Sequence, residues 1–176
     1  MNFQATLFKE AHVIEREPFQ DFRGSFARVF CVEEFKKHGL EYEMVQSNLS
    51  VTHHKGTIRG MHYQVEGSEE DKLVMCFSGA ILDVIIDIRK TSATFGKNFM
   101  VELTGINNKM LFVPKGFAHG FLTLTDHCSV FYQVSNFYNS AHERGIRWND
   151  PFFKINWPIT NPIVSDKDSR SKDFVL

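Results

Sequence analysis

The run KLVMCFSGAILDVIIDIR, from Lys72 to Arg89, narrows the choice of fold more than any other stretch of the chain. It is apolar on both sides of Gly79. After that glycine, Leu82, Val84, Ile86 and Ile88 recur at every second position, the period at which strand side chains share a face. The pattern predicts a hairpin turning at Gly79 with one face buried. Shorter runs follow: KNFMVEL, KMLFVP, GFLTL and SVFYQVSNFY, punctuated by TGINN, PKG and TDH. Short β-branched and aromatic runs at this spacing predict an all-β sandwich or barrel. Only VEEFKKHG, Val32 to Gly39, reads as a helix, with Gly39 as its stop.

Composition bounds the rest. A chain of 176 residues with 43% hydrophobic residues has the size and core content of one domain spanning residues 1–176. A net charge of -1 gives no electrostatic reason to bind nucleic acid or a membrane surface, so a small molecule is the expected partner. The first residues, MNFQATLFKEAHVIEREPF, lack the basic cluster and long apolar run of a secretory signal. No segment approaches the roughly 20 apolar residues of a spanning helix, and a cytoplasmic protein is expected. Cys31, Cys76 and Cys128 lack C-x-x-C spacing and read as buried free thiols. Eighteen phenylalanines suit a jelly roll, two antiparallel sheets around an aromatic core with a pocket at one end, and most are expected to fill that core.

Two segments carry unusual chemistry. GTIRGMHYQ, Gly56 to Gln64, places a cation, Arg59, and an imidazole, His62, on what is expected to be one face of the segment. VPKGFAHGF, Val113 to Phe121, bends the chain at Pro114 and Gly116 and aims His119 near a turn, as the second motif of cupin jelly rolls does. Two distant histidines are a thin ligand set for a transition metal, which takes three or four donors, and Glu66 is the nearby carboxylate in sequence that would complete one. Read singly, these residues leave open a metal-dependent cupin oxygenase or isomerase and a non-catalytic binding cupin.

A family resemblance points to a third class. DFRGSF, VQSNLS, GTIRGMHYQ, KLVMCFSGAILDVIIDIR, LFVPKGFAHGF, FYQVSNFY, GIRWNDP and PIVSDKD, in this order and spacing from about Asp21 to Asp168, resemble the dTDP-4-dehydrorhamnose 3,5-epimerases. The resemblance implies a cupin-type jelly roll with short peripheral helices. It implies a homodimer with exchanged amino-terminal strands, a nucleoside-diphosphate 4-keto-6-deoxyhexose as substrate, and no metal or organic cofactor. The implied reaction inverts C3 and C5, or C3 alone, through an enolate.

That chemistry needs a base for a proton α to the carbonyl, a stabiliser for the enolate oxygen, and an acid on the opposite face. The resemblance assigns the base to His62, and an imidazole, with an ordinary pKa of about 6.5, keeps a neutral fraction at pH 7. Its carboxylate partner falls on Asp168 rather than Asp166, the enolate stabiliser on Lys72, and the acid on Tyr132. Tyr138 is implied to shape the sugar pocket and His119 to orient the sugar. Arg59 matches a diphosphate ligand, suited by its planar fork, and Arg23 a second one reaching the neighbouring subunit's site. Gln46 and Asn48 match positions near the nucleoside and sugar. Arg28 stands where relatives often carry a glutamate near the nucleotide, and Glu69 and Glu70 where many carry a small residue and a glutamine. All three departures are expected to bear on nucleotide choice and not on the enolate chemistry.

Overall fold

The computed structural model describes residues 1–41 and 43–175. In chain order, β1 (Asn2–Ala5) and β2 (His12–Glu15) pair, β3 (Phe19–Asp21) and β4 (Gly24–Phe26) form a separate hairpin, and α1 (Val32–Lys37) follows. The body consists of β5 (Gln46–Thr52), β6 (Thr57–Gln64), β7 (Lys72–Ser78), β8 (Ala80–Asp87), β9 (Asn98–Thr104), β10 (Lys109–Val113), β11 (Phe117–Thr123) and β12 (Cys128–Val134). Then come β13 (Glu143–Gly145), β14 (Ile163–Val164) and α2 (Asp166–Ser169).

The first sheet runs β1-β2-β10-β7-β12-β5, and the second β13-β6-β11-β8-β9, with β14 parallel to β6. From β5 to β12 the chain passes back and forth between the sheets, pausing only for the β8–β9 hairpin. This is the cupin-type jelly roll that was expected, with short helices at its margins.

The hairpin expected across Gly79 does not form. β7 pairs with β10 and β12, whereas β8 pairs with β9 and β11, so Gly79 is where the chain crosses from one sheet to the other. A single left-handed residue (φ 78°) is too short a link for a two-residue hairpin turn. Both faces of β8 are also buried. Ile81 and Ile85 point into the core between the sheets with Val74, Leu111, Phe117 and Val130. Val84 and Ile86 pack outward beneath Ile146, Phe153 and Trp157 of the C-terminal segment, which gives the period-of-two face its cover. On the other flank, Phe35 of α1 covers Leu73, Met75, Met110 and Phe112 of the first sheet. Gly39 follows α1 with a positive φ, as expected of a helix stop.

The phenylalanines divide. Phe8 and Phe117 meet edge to face in the core. Phe19, Phe22 and Phe26 of the β3–β4 hairpin instead lie 70%, 98% and 77% exposed, because a two-stranded hairpin has no second layer to bury them. Cys76 and Cys128 are buried and Cys31 half-buried, and burial pushes the Cys76 thiol up to about 11.

Candidate active site

Strand parity sets the site. On β7 the even positions Val74 and Cys76 face the inter-sheet core, so Lys72 faces the same space at the strand's end. On β12 Cys128 and Val130 do the same and carry Tyr132 with them; on β11 Phe117 and Phe121 flank His119. These side chains open into two adjoining hollows of about 380 and 540 Å³. His62, Lys72, Tyr132 and Glu143 line both, so the two form one cleft.

Arg59 and His62 do share this cleft, but not through alternation. Residues three apart on a regular strand point to opposite faces. Here the β6–β11 register shifts: His62 pairs with His119 and Arg59 with Phe121, leaving Gly60 and Met61 opposite Gly120 alone. The Gly60–Met61 peptide is cis. The extra residue returns both side chains to one face. Glycine is needed on both strands. A Cβ on Gly60 would lie 2.7 Å from the His119 carbonyl oxygen, and one on Gly120 2.7 Å from that of Arg59.

His62 Nε2 lies 2.7 Å from Asp168 Oδ1. The other carboxylate oxygen accepts the Gly60 N–H at 3.2 Å, and Ser165 Oγ caps α2 by accepting the Asp168 N–H. Burial works to raise the Asp168 pKa, but the hydrogen bond and charge of His62, with the Gly60 N–H, outweigh it and leave the group below its ordinary value. An ionised carboxylate only accepts, so Nε2 carries the ring proton and Nδ1 is the basic nitrogen. Asp166, the alternative in sequence, is exposed.

Lys72 is 8% exposed, and its ammonium meets Glu70 Oε1 at 2.9 Å. Burial, then the charge of Glu70, raises the Tyr132 phenol above its usual value. His119 Nε2 meets Asp83 Oδ1 at 2.8 Å, with Asp83 fully buried. Two contacts orient the Arg59 guanidinium, from Nε to Thr52 Oγ1 (2.9 Å) and from Nη2 to the Val51 carbonyl (3.2 Å). Gln46 donates to Asn48 Oδ1 and accepts the Tyr138 N–H, and all three line the smaller hollow. The Tyr138 hydroxyl donates to Glu143 Oε2, and Lys167 Nζ lies 2.6 Å from Oε1 of the same carboxylate.

The expected residues therefore converge, with two exceptions. Arg23 sits at the β3–β4 turn, held by Asp21, and Arg28 pairs with Glu34 at 2.8 Å; neither lines the cleft of its own chain. Glu70, expected to bear on nucleotide choice, lines the smaller hollow and touches Lys72. Glu66, the candidate third metal ligand, points to Arg144 (3.2 Å) and His142 (3.6 Å) away from the cleft. Among the described residues no group of three or more His, Cys, Asp or Glu is arranged to hold a metal ion.

Asp83, Glu143 and Lys167 were missed from sequence. Asp83 had a signal, an acid in the middle of β8 on its inward parity, between Ile81 and Ile85. Glu143 and Lys167 lie in polar stretches with nothing local to mark them.

Comparison with known proteins shows which family this chain and its fold resemble. Residues 5–175 match the family model described as dTDP-4-dehydrorhamnose 3,5-epimerase. A protein of that name from Shigella flexneri is 43% identical over 176 residues, covering 99% of this chain and 97% of its own. The crystal structure of dTDP-4-dehydrorhamnose 3,5-epimerase from Bacillus anthracis, with TDP and PPi bound, superposes with a TM-score of 0.96 at 40% identity, covering 98% of this chain and 99% of that one. The dTDP-6-deoxy-D-glucose-3,5-epimerase of Legionella pneumophila, in complex with dTDP-4-keto-L-rhamnose, gives 0.93 at 35% identity, with 98% and 92% covered.

Proposed function

Since the chain belongs to the dTDP-4-dehydrorhamnose 3,5-epimerase family and is a carbohydrate epimerase, we propose that it inverts C3 and C5 of a dTDP-linked 4-keto-6-deoxyhexose, with the roles that follow. His62 Nδ1 takes the proton α to the ketone. The C–H electron pair moves into the C–C bond and the carbonyl pair onto O4, where the Lys72 ammonium meets the growing charge. Tyr132 delivers a proton to the other face, and solvent restores both groups. Proton out and proton back involve no net redox change, so the proposal calls for no cofactor. Arg59 binds the diphosphate, Gln46 and Asn48 lie by the nucleoside and sugar, Tyr138 shapes the sugar pocket, and His119 orients the sugar.

The observation that carries this reading is the meeting of the His62–Asp168 pair, Lys72 and Tyr132 in one cleft. We further take residues 1–176 as one cytoplasmic domain that works as a homodimer, with the β3–β4 hairpin reaching across to bring Arg23, and Arg28 beside it, to the partner's site. The exposed Phe19, Phe22 and Phe26, and the distance of Arg23 from its own cleft, support that arrangement.

The test is incubation with dTDP-, CDP- and GDP-4-keto-6-deoxyglucose in deuterated water, followed by NMR. Deuterium at C3 and C5 with formation of the inverted sugar is expected from the dTDP substrate. His62→Ala should slow exchange by about two to four orders of magnitude while TDP still binds. Exchange at the parental rate in that variant would remove His62 from the role of base.

A further inference from the structure

Glu70 was expected to bear on the nucleotide, yet its surroundings tie it to Lys72. The Asn139 N–H donates to Gln64 Oε1 at 2.7 Å, and because a backbone N–H only donates, the other end of Gln64 must be its NH2. That NH2 reaches the carbonyls of Ser68 and Phe137 and, at 3.0 Å, Glu70 Oε2. The second Glu70 oxygen holds the Lys72 ammonium. Two donors thus converge on two oxygens of one side chain, and only a carboxylate accepts at both. A glutamine would turn its own NH2 against one of them.

The Glu70 and Lys72 side chains are each 10% exposed, so water and salt screen this pair less than a surface one. Besides Glu70, the charged or titratable groups that line the cleft with Tyr132, among the described residues, are Arg59, His62, Lys72, His119, Glu143, Lys167 and Asp168, with the phenols of Tyr63 and Tyr138. Its cross-strand neighbours on β5 and β7, Asn48 and Val74, carry no charge.

We infer that Glu70 is a positioning residue of the epimerisation: it holds the Lys72 ammonium where the enolate oxygen develops and sets the charge balance between Lys72 and Tyr132. The inference rests on the roles proposed above for those two groups. Because Glu70 follows burial among the causes that raise the phenol, removing its charge must move the phenol down.

The experiment compares Glu70→Gln, Glu70→Asp and Lys72→Met, with dTDP-4-keto-6-deoxyglucose as substrate. Glu70→Gln should lower kcat by about ten- to a hundredfold, leave KM and TDP affinity within about twofold, and shift the alkaline limb of kcat to lower pH. Glu70→Asp keeps the charge but withdraws it by a methylene, so kcat should fall with the alkaline limb unmoved. In the Lys72→Met background, Glu70→Gln should add no further loss of kcat, since it acts through that lysine. Parental kcat and pH profile in Glu70→Gln would overturn the inference, as would a full additional loss in the Lys72→Met background. Should Glu70→Gln fail to fold by thermal melt, Glu70→Asp decides, and parental kcat there overturns it. If Lys72→Met exchanges α-protons at the parental rate, the proposed role of Lys72 fails instead; if Lys72→Met is inert while Glu70→Gln is parental, only the role of Glu70 fails.

Discussion

His62 and Tyr132 enter the cleft from different sheets, on β6 and β12, so a base and an acid can meet a sugar ring from two sides. In the proposed mechanism, removing a proton needs only His62 and Lys72, whereas completing inversion needs Tyr132. Tyr132→Phe should therefore still exchange α-protons with deuterated solvent while forming the inverted sugar far more slowly. Inversion at the parental rate would hand the acid's role to another group, such as Tyr138 or water. Asp168 acts one bond further back. With an amide in its place, Asp168→Asn can present NH2 to His62 Nε2, which drives the ring proton onto Nδ1 and blocks the basic nitrogen. Exchange should fall by up to about four orders of magnitude while calorimetric TDP affinity stays near the parental value. An unchanged exchange rate would show that the dyad geometry does not set the tautomer.

At the scale of elements, the junction of β6 and β11 decides whether Arg59 and His62 work together. Alternation alone would send them to opposite faces, and the register shift at Gly60 and Met61 opposite Gly120 corrects this. Gly120→Ala would press a methyl group to within 2.7 Å of both the Arg59 carbonyl oxygen and Met61 Sδ. The sulfur can swing aside, but the carbonyl belongs to the strand. The variant should lose about 1–3 kcal/mol of stability by thermal or denaturant melt, the usual range for overpacking, and should lose activity beyond the unfolded fraction. Parental turnover per folded molecule would mean that the junction tolerates a shift without moving Arg59 or His62. The bulge was not legible in the sequence, because glycine marks a close approach without saying which partner approaches. Nor was the parting of β7 from β8, since a strand buried on both faces reads as apolar throughout, whichever sheet receives it.

For the whole molecule, the β3–β4 hairpin supplies a test of assembly. If Arg23 serves the partner's site, a mixed dimer of Arg23→Ala and His62→Ala chains contains one complete site: the chain that keeps His62 receives Arg23 from the other. Mixing two weakly active variants, with subunit exchange followed by mass spectrometry, should then restore about half of the parental activity per mixed dimer, as expected for independent sites. No recovery in verified mixed dimers would place Arg23 in its own chain's service or in none.

The all-β class, the helix with its Gly39 stop, and most of the chemically active side chains of the cleft were legible in the sequence, though Glu143 and Lys167 were not. Strand parity and chemical type are local properties, and the family motifs carry His62, Lys72, Tyr132 and Asp168 in recognisable surroundings. Beyond the His62–Asp168 pair, what the sequence did not show was which partner each polar group of the cleft would meet. Asp83 under His119, Glu143 between Tyr138 and Lys167, and Glu70 on Lys72 are pairings across 36, 5, 24 and 2 positions of chain. Even the shortest depends on Gln64 and Asn139 to turn the carboxylate toward the lysine. A hydrogen bond needs its donor and acceptor within about 3 Å and aligned. Only the packing of two sheets and the crossing of chains between them brings these groups to that distance.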